Sequence, residues 1–301
     1  MKSKIFRKIA FCFASALIVC SVGAFTGCAE TDHPEVRITY EFNGASYDVD
    51  YKLYRNMYPH TVRHFIELSE EGFYDNLIIH DYQSNDWFTG GYTYDAADYS
   101  AKVENNALNE YFEQFSKEAE YSKLFADGKL AASVYSNHKY DSNGKEYVDG
   151  ADVLPTVMGE FYNNIHQEIK KGALTADYGC LKMFYYEKDS DKETNKVYVT
   201  PTDDQIILAD YKNNCATSIF ALQTGISSSY SEKNYTVFAQ LKETETFEKF
   251  VDAVNDYKTD LGTSDFYTVV SDVYVDGNET EVSFNVPQQP IIIRSVKVTK
   301  Y

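Results

Sequence analysis

The sequence predicts a mainly β protein, a closed or nearly closed antiparallel barrel with helices at its ends. Short alternating strands separated by turn residues recur along the chain, and two amphipathic helices interrupt them. Strands and helices do not alternate regularly, which disfavours a doubly wound α/β fold. At 301 residues, 44% of them hydrophobic and 25% charged, the chain has the length of one large domain or two small ones.

The N-terminus reads as a lipoprotein signal. Residues 1–8 are basic, and Ile9 to Val22 form an apolar run too short for an ordinary membrane span. Phe25-Thr26-Gly27-Cys28 then resembles the bacterial lipobox, with Phe25 in place of the usual leucine. We therefore expect residues 1–27 to be removed, Cys28 to be lipidated and residues 28–35 to be a short tether. The alternative is a secretory signal with an incidental Cys28.

The predicted location is outside the cytoplasmic membrane of a bacterial cell, with the lipid as the only membrane attachment. The net charge is −18, and residues 1–27 carry four basic side chains and no acidic one, so the remainder carries −22. Such a chain is repelled by phosphate backbones, which makes nucleic acid a poor partner. We expect a monomer.

Two cysteines are left in the body of the protein once the signal is removed and Cys28 is lipidated. These are Cys180 and Cys215. An extracytoplasmic location permits a disulfide between them, and two buried free thiols are the alternative.

The first half of the chain begins with a predicted β-hairpin. Val36 to Tyr40 and Tyr47 to Leu53 alternate with period two around the type I′ turn signal Asn43-Gly44. A helix is predicted from Pro59 to just before Gly72. Further predicted elements are a strand at 77–79, a helical stripe at 108–119 ending near Gly128, a hairpin at 134–148 and a turn and helix at 161–171.

The second half contains a polar loop at 187–204 and a run of strands. Strands are predicted at 218–222 and 236–241, an amphipathic helix at 247–257, and a closing strand at 291–298.

Several segments resemble the cyclophilin family of peptidyl-prolyl isomerases. They are Tyr58-Pro59-His60-Thr61-Val62-Arg63-His64-Phe65-Ile66-Glu67-Leu68, Gly72-Phe73-Tyr74-Asp75, Ile79-His80, Gly90-Gly91, Gly159-Glu160-Phe161, Gly172-Ala173-Leu174-Thr175, Thr217-Ser218-Ile219-Phe220 and Val237-Phe238. The resemblance implies a cyclophilin-like domain over 36–301. It also implies a helical and hairpin excursion at about 95–156 and an insertion at about 179–213.

The resemblance also implies a chemistry and a set of site residues. A cyclophilin holds a proline ring in an apolar pocket and uses an arginine to stabilise the X–Pro amide as resonance is broken. Here the arginine position is Asp81, the glutamine before the double glycine is Thr89, and the glutamine of the family's Ser-Gln-Phe-Phe segment is Ser218. The same alignment assigns the proline pocket to Phe220, Tyr230 and Tyr235, with His80 on a neighbouring strand.

No cofactor or metal site is predicted. His60 and His64 share the spacing of a metal-binding pair but lack a third ligand, so we expect two exposed histidines. No serine hydrolase, Walker or zincin motif is present.

Three functions fit the sequence. The first is a tethered isomerase that assists the folding of exported proteins. The second is a catalytically weak module that binds proline-containing or extended polypeptides, which the charge reversal at Asp81 favours. The third is a solute-binding lipoprotein.

Overall fold

The structure is a computed structural model that describes residues 31–131, 133–154, 157–161, 174–187, 195–199, 207–211, 214–226, 235–274 and 281–301. Its strands are β1 (Glu35–Phe42), β2 (Ala45–Leu53), β3 (Leu77–Ile78), β4 (Asp81–Tyr82), β5 (Asp86–Thr89), β6 (Ser133–Tyr140), β7 (Glu146–Leu154), β8 (Val157–Met158), β9 (Leu181–Glu187), β10 (Asn195–Val199), β11 (Ile207–Tyr211), β12 (Asn214–Gln223), β13 (Thr236–Leu241), β14 (Tyr267–Tyr274), β15 (Glu281–Pro287) and β16 (Ile291–Lys300). Its helices are α1 (Pro59–Glu70), α2 (Ala96–Glu104), α3 (Leu108–Phe115), α4 (Glu118–Ala126), α5 (Glu245–Leu261) and α6 (Thr263–Phe266). No helix among the described residues is long and apolar enough to cross a membrane.

The main sheet is antiparallel and closes into a barrel. Its strand order is β3-β16-β1-β2-β13-β9-β12-β5-β4, with β8 paired to β12. The strands at its two ends, β3 and β4, follow one another in the chain. At the junction the Ile79 N–H donates to Ile291 O (2.8 Å) and the His80 N–H donates to Phe88 O (3.0 Å). The predicted mainly β, closed antiparallel fold is confirmed.

The predicted N-terminal hairpin and helix are confirmed. β1 pairs with β2 through the turn at Asn43 (φ 49°) and Gly44 (φ 80°), the two positive φ angles that a type I′ turn requires. Helix α1 begins at Pro59, whose missing N–H is not needed there. The closing strand also forms, as β16 against β1.

The barrel interior is filled by aromatic and aliphatic side chains and closed by α5. Tyr40 stacks on Phe250 of this helix with ring centroids 4.7 Å apart, and its hydroxyl is 2.8 Å from that of Tyr51. Phe247 and Val254 of α5 are fully buried on the same core. The helix predicted at 247–257 is therefore correct and extends at both ends.

A second hydrophobic cluster lies beside the barrel. We call it the side lobe and define it as residues 92–115 together with β14 and β15. Phe112 of α3 packs against Phe284 of β15 (5.7 Å between centroids), and the Tyr99 hydroxyl of α2 donates to Pro287 O. The sequence predicted α3 as part of one longer helical stripe, but it did not predict the β14–β15 hairpin.

Two further predictions need correction. The segment 187–204 was predicted as a loop, but β10 lies within it and joins the sheet β11-β10-β6-β7. The insertion predicted at 179–213 contains β9, which pairs with β12 and β13 inside the main sheet. The predicted hairpin at 134–148 forms as β6 and β7. Most of the turn and helix predicted at 161–171 lies outside the described residues.

Candidate functional site

Four neighbouring strands of the barrel, β4, β5, β12 and β9, carry one continuous outer face. Side chains alternate along a strand, and the core positions are Tyr82, Trp87, Phe220, Leu222, Leu181 and Met183. The residues between them leave the sheet on the other side. We call this set the outer face and define it as Asp81, Asp86, Phe88, Lys182, Phe184, Ile219 and Ala221.

Asp81 is buried at the junction of the barrel and the side lobe. Its Oδ1 accepts the backbone N–H of Asn285 (2.9 Å), and its Oδ2 accepts Gln83 Nε2 (2.7 Å). Burial, the largest influence, raises the pKa of Asp81, while the two hydrogen bonds oppose that rise. The position aligned with the family's arginine is therefore occupied by an acidic residue that binds the backbone of β15. Only 7% of Asp81 is exposed.

His80 belongs to the same junction. Its ring packs against Tyr92 and Phe284, with both centroids 5.0 Å away. Burial lowers the pKa of His80 to about 3, so the imidazole is neutral at physiological pH. A neutral ring enclosed by aromatics has a packing role here.

Thr89 and Ser218 are both buried and engaged with the backbone. The Thr89 hydroxyl donates to Ile78 O (2.8 Å), and the Ser218 hydroxyl donates to Gly90 O (2.8 Å). The family alignment places peptide-binding glutamines at these two positions. Here both side chains instead bond to the backbone of the barrel. The Ser218–Gly90 contact instead holds β12 against the end of β5.

Phe220 lies in the barrel core. It is fully buried, with its ring 5.3 Å from Phe65 and 5.4 Å from Tyr74 between centroids. The prediction that Phe220 forms the floor of an outward proline pocket is therefore wrong. A shift of one residue changes the face on which a strand residue lies. Aligning the family's Ser-Gln-Phe-Phe with Ser218-Ile219-Phe220-Ala221 puts the serine on Ser218 and gives the outward position to Ala221.

Tyr235 is the predicted pocket residue that reaches the surface. It precedes β13, is 43% exposed, and its ring centroid is 5.7 Å from Lys182 Nζ. Tyr230 lies outside the described residues, and so does Cys28.

Two half-buried aromatics of the outer face were missed by the sequence analysis. Phe88 of β5 and Phe184 of β9 meet edge to face with centroids 5.6 Å apart. Ala221 is the cross-strand neighbour of Phe88, so a small side chain lies beside the pair. A sequence motif could have identified β9 as a barrel strand. Gly179-Cys180-Leu181, at the start of β9, has the same Gly-x-Leu spacing as Gly172-Ala173-Leu174, the segment that the resemblance uses.

The two cysteines do not form the predicted disulfide. Cys180 is a free, buried thiol immediately before β9, and its O accepts the N–H of Gln223 (2.9 Å). Cys215 is registered opposite Tyr186, six residues farther along β9. At ~3.3 Å per residue this separation is far beyond the Cα–Cα limit of ~7 Å for a disulfide.

The histidine pair of α1 is split between surface and core. His60 is exposed, whereas His64 is buried with Nε2 3.1 Å from Thr217 O and 3.3 Å from the Tyr121 hydroxyl. Two exposed histidines were predicted, so the expectation is wrong for His64. Among the described residues, no group of three or more His, Cys, Asp or Glu side chains could hold a metal ion.

The chain is similar to a known protein family and to solved structures. The model for "Cyclophilin type peptidyl-prolyl cis-trans isomerase/CLD" matches residues 37–296. A Cryptosporidium parvum cyclophilin type peptidyl-prolyl cis-trans isomerase is similar at 15% identity and a TM-score of 0.40, covering 89% of this chain and 99% of that one. The Mimivirus cyclophilin is similar at 12% identity and a TM-score of 0.38, covering 89% and 91%. No curated protein sequence matches the chain.

Proposed function

From the premise that this chain belongs to the cyclophilin-type peptidyl-prolyl cis-trans isomerase family, we propose that it binds proline-containing segments of exported polypeptides while tethered to the membrane. Binding takes place at the outer face, and turnover of the X–Pro bond is slow. In this role the protein assists folding outside the cytoplasm.

The observation that carries the proposal is the state of Asp81. Isomerisation in this family depends on a cation that stabilises the twisted amide, and losing one such donor typically costs 10²–10³ in rate. A carboxylate already bonded to the Asn285 N–H (2.9 Å) supplies no such charge. Apolar contact with a proline ring does not need that cation, so affinity survives where rate is lost.

The outer face offers the apolar contact. Phe88 and Phe184 are half-buried and in contact with each other, and Phe88 lies opposite the small side chain of Ala221. The exposed ring of Tyr235 lies 5.7 Å from Lys182 Nζ of the same face. Aromatic surfaces of this kind bind extended, proline-rich segments, whose conformation costs little entropy to fix.

The test uses the mature protein and a fluorescent peptide that contains one X–Pro bond. We expect measurable binding by anisotropy and catalysed cis–trans exchange at least 10²-fold slower than by an arginine-bearing cyclophilin assayed in parallel. A matched peptide with alanine for proline should bind more weakly. Equal affinity for the two peptides would contradict proline recognition.

A fast isomerase is the second candidate, and the family match over residues 37–296 favours it. The same exchange assay separates the two functions, because exchange comparable to that of the arginine-bearing enzyme would support this candidate.

The tether is a separate part of the proposal. It rests on the basic residues 1–8, the apolar run and Cys28. We expect Cys28→Ala to move the protein from the membrane fraction to the soluble fraction. Mass spectrometry of the wild-type protein should find two or three acyl chains on Cys28, and an unmodified N-terminus at another residue would refute the anchor.

A further inference from the structure

An ion pair crosses the middle of the outer face. Lys182 on β9 and Asp86 on β5 lie on either side of β12, yet Lys182 Nζ is 2.6 Å from Asp86 Oδ1. The two side chains are 9% and 20% exposed. The pair is therefore largely removed from solvent.

The pair passes over Ala221. In the sheet register Ala221 is opposite Lys182 on one side and opposite Phe88 on the other, and Asp86 is opposite Gln223. Adjacent strands are ~4.8 Å apart, so the two side chains together bridge about 10 Å. A large residue at position 221 would occupy that path, whereas the methyl group of alanine leaves it open.

A buried ion pair contributes little net stability to a sheet. Removing two charges from water costs several kcal/mol per ion, and well-packed apolar residues often serve stability equally well. Its position favours a different role, because Lys182 and Phe88 flank Ala221 on its two sides and the ammonium is 5.7 Å from the centroid of the exposed Tyr235 ring.

Lys182 is the positively charged residue of the outer face. Among the seven residues that define this face, Lys182 alone is positive. Three arginines are engaged elsewhere: Arg37 with Asp50, Arg63 with Glu67, and Arg294 with Glu41.

We propose that Lys182 is a catalytic residue of this protein, the cation that contacts the bound X–Pro segment in place of the family's arginine. The inference rests on the proposed function. As the amide twists, the lone pair of its nitrogen is no longer delocalised into the carbonyl group, and the ammonium donates a hydrogen bond to that lone pair. The reaction is a rotation about the C–N bond, and no covalent bond is made or broken. Asp86 holds the ammonium over Ala221 and also neutralises part of its charge, which agrees with slow turnover.

The experiment measures two quantities on the full mature chain: the catalysed cis–trans exchange rate of an X–Pro peptide by exchange NMR, and the Kd for the same peptide by anisotropy. Lys182→Met removes the charge and keeps the length of the side chain. We expect its exchange rate to fall at least tenfold while Kd changes less than threefold. Lys182→Arg should retain the rate.

Asp86→Asn provides a second variant that keeps the ammonium. Without the counter-charge we expect faster exchange than in the wild type, and unchanged or slower exchange would count against the role. Lys249→Met is the matched control, because Lys249 forms an exposed i, i+4 ion pair with Glu245 on α5. Thermal unfolding of every variant shows whether it is folded.

Two negative results have different meanings. Peptide binding with equal exchange in wild type and Lys182→Met, or binding with no catalysed exchange in the wild type, would overturn the role of Lys182 alone. Wild-type protein that neither binds nor exchanges the peptide would overturn the proposed function and this inference together.

Discussion

The Asp81 carboxylate accepts the backbone N–H of Asn285, 204 residues farther along the chain, at 2.9 Å. This contact joins β4 of the barrel to β15 of the side lobe. The position from which the family's arginine would reach a peptide is thus used to attach a hairpin. Adding an arginine here would not simply restore a missing catalytic group.

We predict that Asp81→Arg destabilises the protein and does not increase isomerisation. The substitution leaves the Asn285 N–H without its acceptor, at a cost of ~1–3 kcal/mol, and forces a longer cation into a nearly closed site. Urea unfolding and the exchange assay test both parts. A stable variant with faster exchange would show that the side lobe yields readily to the arginine.

The pH dependence of stability should differ between wild type and Asp81→Asn. Burial raises the folded-state pKa of Asp81 above its ordinary value of 3.8, so the folded protein holds this proton more tightly than the unfolded chain. The stability contributed by Asp81 is fully present below that ordinary pKa and is lost as pH rises through the folded pKa. The asparagine variant lacks this titration. Relative to the wild type, its free energy of unfolding should therefore rise as the pH increases above 3.8. A pH-independent difference would contradict the assignment.

Truncation of Phe220 should mainly lower stability, whereas truncation of Phe184 should mainly weaken peptide binding. Phe220→Ala removes a fully buried ring and should lower the free energy of unfolding by ~3–5 kcal/mol. Phe184→Ala removes a half-buried ring of the outer face, so a smaller loss of stability and weaker peptide binding are expected. Denaturant titration and anisotropy give the two quantities. If Phe184→Ala left the peptide Kd unchanged, the outer face would not be the binding surface.

The sequence predicted the barrel but misassigned part of the site. Alternation, the Asn43-Gly44 turn and Pro59 are local signals, and β1, β2, α1 and β16 form where these signals lie. A shift of one residue in the alignment of β12 decides which of its side chains are assigned to the core and which to the surface, because side chains alternate between the two faces of a strand. The family motif can be aligned with residues 217–220 or with residues 218–221, and the packing of Phe220 against Phe65 in the core distinguishes the two registers.

The side lobe could not be predicted for another reason. The hairpin β14–β15 is stabilised by residues distant in sequence, such as Phe112 against Phe284 and Asp81 against the Asn285 N–H. Neither contact produces a periodic pattern within one segment of the sequence. The burial of Asp81 depends on such distant contacts, so local sequence patterns do not predict it.

Gly90 should tolerate no side chain. It has φ 99°, and a Cβ there would lie 2.2 Å from Ser218 O. We expect Gly90→Ala to cost more than ~3 kcal/mol because positive φ and a backbone clash act together. Gly44→Ala is the control: φ is 80° and no atom lies within 4 Å of a Cβ there, so the cost should be ~1 kcal/mol. Chemical denaturation measures both, and equal losses would show that β12 can move away from Gly90.

Cys180 should be unreactive in the folded protein. Burial raises the pKa of its thiol to about 12, so very little thiolate is present at neutral pH. A maleimide or disulfide reagent should label it only after denaturation, without prior reduction. Labelling that requires a reductant would show a disulfide in the protein and would contradict the β9–β12 register.

Glu160 should act as the N-terminal cap of α1 from a distant segment. Its two carboxylate oxygens accept the N–H groups of His60 (3.1 Å) and Thr61 (2.8 Å), which the helix itself leaves without partners. Glu160→Ala orphans both donors in a buried site and should cost ~1–3 kcal/mol, while Glu160→Gln, with one acceptor oxygen, should cost less. Glu245→Ala, at an exposed ion pair on α5, is the control and should change stability by less than ~0.5 kcal/mol. Urea titration of the three variants gives the order, and a Glu160→Ala loss no larger than that of the control would show that water replaces the carboxylate at the helix end.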